Sequence, residues 1–250
     1  FAIAKQLGLK THCYTSPHLC RFNERIRIAN NLIDDEALLR VLDEVEKLNQ
    51  NTPITFYEIT TVAAFMAFAN TPADLLILET GLGGRLDSTN VIKNPLASII
   101  TPIALDHEHF LGTELTQIAG EKAGIIKKNV PVISASQTKE VEQTLCEKAR
   151  EMDTLIFFEG ADFIWEQIGT GEVRLECDDK VFTLPKPSLV GPHQIQNAAL
   201  AAASIIYSDY LTPLDDRLFS GIGFAKWSGR VQFINQGKLL NHRGARPIWI

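Results

Sequence analysis

Glu79-Thr80-Gly81-Leu82-Gly83-Gly84-Arg85-Leu86-Asp87-Ser88-Thr89-Asn90 follows an apolar run from Asp74 to Leu78, so a carboxylate is delivered straight into a glycine-dense loop. A strand that ends at a site has this form. Three glycines within four residues let backbone come close to a ligand where side chains would block it, and Arg85 and Asp87 follow as opposite charges. The layout returns at Ala97-Ser98-Ile99-Ile100-Thr101, an apolar, β-branched run followed by Asp106-His107-Glu108-His109. Two strand ends thus offer polar groups to one crevice. The spacing Gly81-Leu82-Gly83-Gly84 is not GxGxxG, so the loop is no sign of a dinucleotide site.

Working outward, strands near 75–80, 97–101, 130–134 and 154–158 alternate with helices near 115–127 and 137–151. That rhythm calls for right-handed crossovers and an α/β fold with a mostly parallel sheet flanked by helices. Upstream, residues 1–7 read as a helix stopped by Gly8, and Thr11 to Thr15 as the first strand. A helix capped by Asp34 runs to about Leu48 and places Leu38, Leu39, Leu42, Val45 and Leu48 on one face; a second covers Tyr57 to Ala69. From Phe163 to Leu184 the pattern shifts to short alternating runs around Gly169-Thr170-Gly171 and Asp178-Asp179, a small antiparallel β meander. An alanine-rich helix follows over Gly191 to Tyr207.

The chain has 250 residues, 45% hydrophobic and 22% charged, ordinary usage for a globular protein able to bury a sizeable core. A net charge of −6 with no stripe of Lys and Arg argues against a nucleic-acid partner. No apolar stretch approaches the roughly 20 residues of a bilayer span, and residues 1–10 lack the charged-then-apolar pattern of a signal segment. A cytoplasmic monomer with no membrane partner is the expectation. Cys13, Cys20, Cys146 and Cys177 are scattered without CxxC spacing, which suggests neither a disulfide framework nor a zinc site.

Several segments together resemble one family. They are Thr15-Ser16-Pro17-His18-Leu19 with Glu24-Arg25-Ile26, Phe56-Tyr57-Glu58, the loop from Glu79 to Asn90, and Leu105-Asp106-His107 with Leu111-Gly112. Glu121-Lys122-Ala123-Gly124-Ile125, Gly191-Pro192-His193-Gln194 with Asn197, and Trp227-Ser228-Gly229-Arg230 complete the set. In order and spacing the chain resembles the folylpolyglutamate synthases and dihydrofolate synthases of the Mur ligase superfamily. The resemblance implies ATP-dependent joining of L-glutamate to a folate or dihydropteroate carboxylate. ATP phosphorylates the carboxylate, the glutamate amine attacks the acyl phosphate, and ADP, phosphate and an amide result. Such chemistry needs a divalent cation, because phosphoryl oxygens gather negative charge as the γ-phosphate moves.

By that resemblance Ser16, Glu79 and His107 hold magnesium, with His107 also at the catalytic centre, and Lys122 becomes a carbamate that helps hold a second metal. His109 lies outside the match. Gln194 and Asn197, three apart at a helix start, meet ATP, and Arg230 reaches its phosphates. Thr55, Tyr57 and Asp87 match positions that hold the pterin in enzymes that also make dihydrofolate. Each residue also has a plainer reading. Ser16 alone would cap a turn before Pro17, His107 alone would be a loop histidine, and Lys122 alone would pair with a neighbouring carboxylate. Tyr57 would be a core aromatic, Asp87 a turn residue and Arg230 a surface arginine.

The chain also departs from the family pattern. No Gly-Lys phosphate loop occurs, and such a loop would precede the helix at residue 1. The stretch Asn241-His242-Arg243-Gly244-Ala245-Arg246-Pro247-Ile248-Trp249-Ile250 resembles neither the family's Asp-Gly-Ala-His-Asn-Pro motif nor a well-formed strand. The expectation is therefore a catalytic domain over 1–225, with 226–250 as a linker and the start of a further domain, truncated or frame-shifted at its ends and with negligible ligase turnover alone. Two alternatives stand beside the folate reading: another Mur-type amino-acid ligase, or a non-catalytic nucleotide-binding fragment.

Overall fold

Two short parallel strands carry the first and third of the quoted motifs, and the rest of the chain is arranged around them. A computed structural model describes residues 1–234 and 248–249. After α1 (Ala2–Gln6), strand β1 (Thr11–Tyr14) leads through a 3-10 turn over Phe22–Arg25 to β2 (Ile26–Ile28) and β3 (Asn31–Leu32). Helices α2 (Asp35–Asn49) and α3 (Phe56–Ala69) precede β4 (Leu75–Leu78). Next come β5 (Ser98–Ile100), α4 (Glu108–Leu111), α5 (Leu115–Ala123), β6 (Val132–Ser134), α6 (Lys139–Glu151) and β7 (Ile156–Phe158). The meander β8 (Phe163–Ile168), β9 (Glu172–Cys177) and β10 (Lys180–Leu184) leads to α7 (Pro192–Tyr207) and a 3-10 segment over Asp216–Phe224. Strands β11 (Phe233–Ile234) and β12 (Ile248–Trp249) pair antiparallel.

The expected α/β alternation is present, with detail that periodicity alone does not supply. β1 and β4 run parallel, with Tyr14 beside Leu78, and β5, β6 and β7 form a second parallel set. Among the described residues no pairing joins β4 to β5. The outer side of β1 is covered by β2 and then β3, both antiparallel, in the order β3-β2-β1-β4. Sequence reading missed these two strands because they are only three and two residues long. The meander lies where the alternating runs put it, paired β10-β9-β8.

Three apolar clusters hold these layers. Tyr14 and Ile26 pack with Leu38, Val41 and Val45 of α2 and Ala63, Ala64 and Phe68 of α3. Ile118 and Ala123 of α5 pack with Val141 and Leu145 of α6 against Ile100, Val132 and Phe158. Ile133 and the inner side chains of the meander pack against Ala199, Leu200, Ala203 and Ile206 of α7. Asp34 caps α2 as expected, its carboxylate accepting from the amide of Ala37 at 2.7 Å. The buried face of that helix differs from the expected one: Leu38, Val41 and Val45 are buried, whereas Leu39 and Leu48 are 61% and 68% exposed. Leu39 sits about 100° around the helix from Leu38 and so misses the sheet. Of the expected linker 226–250, residues 235–247 and 250 lie outside the described residues.

The two adjacent leucines give a direct test of the packing. Leu38→Ala is expected to cost about 2–5 kcal/mol in urea unfolding, while Leu39→Ser stays within about 0.5 kcal/mol of the parent. Equal losses would contradict the assigned face.

Candidate active site

Because β1 and β4 are parallel neighbours, the residues that follow them emerge side by side. The amide of Glu79 donates to Tyr14 O at 2.9 Å, extending the ladder one step, and the amide of Ser16 donates to the Glu79 carboxylate at 2.8 Å. A serine and a glutamate 63 positions apart along the chain are thereby in contact. The Glu79 side chain meets solvent at the mouth of a cavity, yet surrounding protein crowds it. That desolvation raises its pKa, partly offset by the Ser16 amide and by the charges of Arg230 and Arg25.

The loop after Ser16 is held by a carboxylate that the sequence reading quoted but gave no role. Glu24 accepts from the amides of Leu19, Cys20 and Arg21, at 2.7 Å in the case of Leu19. The first two of its lowering influences are the amides of Leu19 and Arg21, which favour its ionised form. Arg25 is buried, donates to His18 Nδ1 at 2.9 Å, and lies over the rings of Phe22 and Phe56.

The glycine loop after β4 is shaped by Asp87. One carboxylate oxygen accepts from the amides of Gly81 and Leu82, each at 2.9 Å, and the other from the amide and hydroxyl of Thr89. A carboxylate offers about four acceptor positions, and all four are taken within the loop. The turn role accounts for every bond that Asp87 makes here. The glycines allow close approach elsewhere: a side chain at Gly124 would collide with the backbone of Arg85, and one at Gly84 would lie 2.8 Å from Glu121 O. The loop therefore lies directly on the last turn of α5, with the Arg85 amide bonded to Glu121 O at 2.8 Å. Asn90 adds a bond to Gly124 O at 3.0 Å. Lys122 sits on that turn. Its neighbour Glu121 pairs with Arg85 at 3.0 Å, so the carboxylate adjoining Lys122 is already engaged.

Thr55 is the N-cap of α3. Its hydroxyl accepts from the amide of Glu58 and donates to the Glu58 carboxylate at 2.7 Å, and that carboxylate takes the amide of Thr55 at 2.8 Å. Tyr57 lies against Gly81, where any side chain would strike its ring. Its phenol is pushed well above the usual range, first by burial and then by the charge of Asp87. Of the three residues matched to pterin binding, Tyr57 and Asp87 thus both adjoin Gly81 of the glycine loop, and Thr55 starts the helix that carries Tyr57.

Gln194 and Asn197 do share a face. Asn197 Nδ2 donates to Gln194 Oε1 at 3.4 Å, and both line one cavity of about 310 Å³ with Thr15, Ser16, Pro17, Glu79, Leu189, Trp227 and Arg230. Five residues singled out from sequence, Ser16, Glu79, Gln194, Asn197 and Arg230, are therefore brought together. His107 is not among the lining residues. It occupies the left-handed region at φ 52°, caps α4, and stands 3.7 Å from the Asp106 carboxylate. No group of three His, Cys, Asp or Glu side chains able to hold a metal forms among the described residues. A larger hollow of about 450 Å³, lined by Val181, Phe182, Leu214, Asp215, Asp216 and Arg217, is a surface dip whose arginine is already paired with Asp215. No described helix is long and apolar enough to cross a membrane.

Fold and site together define an α/β protein of the Mur ligase central-domain type. Within that class the chain is a relative of the folylpolyglutamate and dihydrofolate synthases. It is 35% identical over 254 residues to the dihydrofolate synthase/folylpolyglutamate synthase of Bacillus subtilis, covering 94% of this chain and 58% of the relative. Escherichia coli FolC in complex with DHPP and ADP superposes with a TM-score of 0.84 at 30% identity, over 94% of this chain and 55% of that one. A bifunctional folylpolyglutamate synthase/dihydrofolate synthase with Mn, AMPPNP and L-glutamate bound gives 0.83 at 31% identity, with the same shares covered. No protein-family profile matches the chain. The chain spans somewhat more than half the length of the relatives it matches.

The raised pKa of Glu79 has a consequence that can be measured. A carboxylate whose folded-state pKa lies above its unfolded value favours folding only while protonated, so its contribution is lost as pH rises through that interval. Glu79→Gln is expected to raise the Tm at pH 7 by roughly 2–4 °C per kcal/mol relieved, and to leave it unchanged near pH 3, where both states are protonated. An equal shift at both pH values would rule out the electrostatic origin.

Proposed function

We propose that this chain forms the ATP-binding part of a ligase that joins L-glutamate to a folate or dihydropteroate carboxylate, in the manner of its named relatives. The observation that carries the proposal is the cavity in which Ser16 and Glu79, from two parallel strand ends, face Gln194, Asn197 and Arg230. Ligands of open α/β sheets bind outside the carboxyl ends of the strands, where this cavity lies.

The roles follow from the donor set. The crowded carboxylate of Glu79 and the adjacent Ser16 hydroxyl are hard oxygen donors suited to magnesium, which takes few protein ligands and keeps several waters. When bound, the cation would neutralise charge on the phosphoryl oxygens. His107 is assigned as a further ligand and Lys122 as a carbamate-bearing residue on the strength of the family motif alone. The amides of Gln194 and Asn197 can donate and accept, which suits a nucleotide. Arg230 supplies positive charge toward the phosphates. In the reaction a carboxylate oxygen of the folate bonds to the γ-phosphorus as ADP leaves. The glutamate nitrogen then bonds to the acyl carbon as phosphate leaves and the amine proton is released. Thr55, Tyr57 and Asp87 frame the pterin side; a pterin N–H reaching Asp87 would replace one of the bonds inside the glycine loop. The catalytic unit is taken as 1–225, acting as a cytoplasmic monomer.

Titration with mant-ATP tests the reading. Binding is expected to require Mg2+ and to weaken at least tenfold in Glu79→Ala and in His107→Ala. Binding unaffected by either substitution would remove the ligase site and favour a non-catalytic nucleotide-binding fragment. Direct binding of a cell-wall nucleotide precursor, and not of dihydropteroate, to the ATP-loaded chain would favour another Mur-type ligase.

A further inference from the structure

Glu159, directly after β7, carries a negative charge held by three neutral donors. Trp165 Nε1 from β8 lies at 2.6 Å, the Ser136 amide after β6 at 3.0 Å, and Gln196 Nε2 from α7 at 2.8 Å. Its own amide reaches Ser134 O at 2.9 Å. Gln137, in the loop that carries Ser136, continues the chain of bonds: its Oε1 accepts from the Ile103 amide at 2.9 Å and its Nε2 donates to Thr101 O at 3.0 Å. The carboxyl ends of β6 and β7 are thus joined to β8 and α7 through one carboxylate, and Gln137 ties the end of β5 to the same loop.

Gln196 lies between Gln194 and Asn197 but leaves α7 on another side, since successive residues turn about 100° around a helix. A bond to Gln196 therefore fixes the rotation of α7 about its axis without entering the cavity. The first turn of this helix has no side-chain cap and its fully buried apolar residues begin only at Ala199, so the bond to Gln196 adds a polar hold near the end that meets the cavity. Hydrogen bonds to an ionised acceptor are shorter and stronger than neutral ones, which suits a bond that must resist rotation.

We propose that Glu159 is a positioning residue for nucleotide binding: by gripping Gln196 it sets the angle at which Gln194 and Asn197 face the cavity. The inference rests on the nucleotide-binding role assigned above. It is tested by mant-ATP titration of this chain in Mg2+ with Gln196→Leu and Glu159→Gln, each alone and combined with the double change Gln194→Ala/Asn197→Ala. Gln196→Leu and Glu159→Gln are expected to weaken binding five- to tenfold alone and less than twofold in the Gln194→Ala/Asn197→Ala background, because both amides they orient are then gone. A general loss of stability would weaken binding equally in both backgrounds and overturn the proposal, as would no loss at all. Amide exchange over residues 192–198 gives a readout that needs no ligand: faster exchange in Gln196→Leu, with β1 and β4 unchanged, is expected. If the parent chain binds no nucleotide but exchange responds in this way, the function reading has failed and the grip on α7 has not. Unchanged exchange overturns the grip itself.

Discussion

The pairing of β1 with β4 is the constraint on which the rest depends. Parallel strands in register bring out their following residues at the same end of the sheet, and here those residues are Ser16 and Glu79. Shifting β4 by one residue would turn Glu79 to the opposite face, since side chains alternate along a strand. The antiparallel pair β2 and β3 closes the outer side of β1, and α2 and α3 pack behind it. Ser16 and Glu79 are in place once that ladder forms, and α7 brings Gln194 and Asn197 to them.

Around this ladder much polar chemistry is used to hold backbone. Asp87 closes the glycine loop, Glu24 closes the loop after Ser16, and Glu159 ties the ends of β6 and β7 to β8 and α7. Glu79 is different: its crowded carboxylate has one amide partner and is raised rather than lowered in pKa. A charge kept in an unfavourable setting is common where a ligand rather than the fold is to satisfy it.

Much of this was legible in the sequence. The apolar runs and their spacing gave β4 to β7 and the crossover helices, because buried parallel strands read as continuous apolar stretches. The alternating runs gave the meander, and Asp34 announced α2. For the site, the carboxylate entering a glycine loop pointed to Glu79, and the i, i+3 spacing put Gln194 beside Asn197. What remained hidden had physical reasons. β2 and β3 are too short for a pattern to repeat. The exposure of Leu39 depends on the angle at which α2 meets the sheet. The saturation of Asp87 depends on the path of backbone amides, and the grip of Glu159 on Gln196 joins residues 37 positions apart with no local signature.

Thr55 shows how one residue can belong to two accounts at once. Its hydroxyl both gives and receives a hydrogen bond in starting α3, and the same residue borders the proposed pterin site. Removing that hydroxyl would fray the helix that presents Tyr57, so an apparent contribution to substrate recognition would contain a share that belongs to helix initiation. Serine, which keeps the oxygen and drops the methyl, separates the two contributions where alanine mixes them.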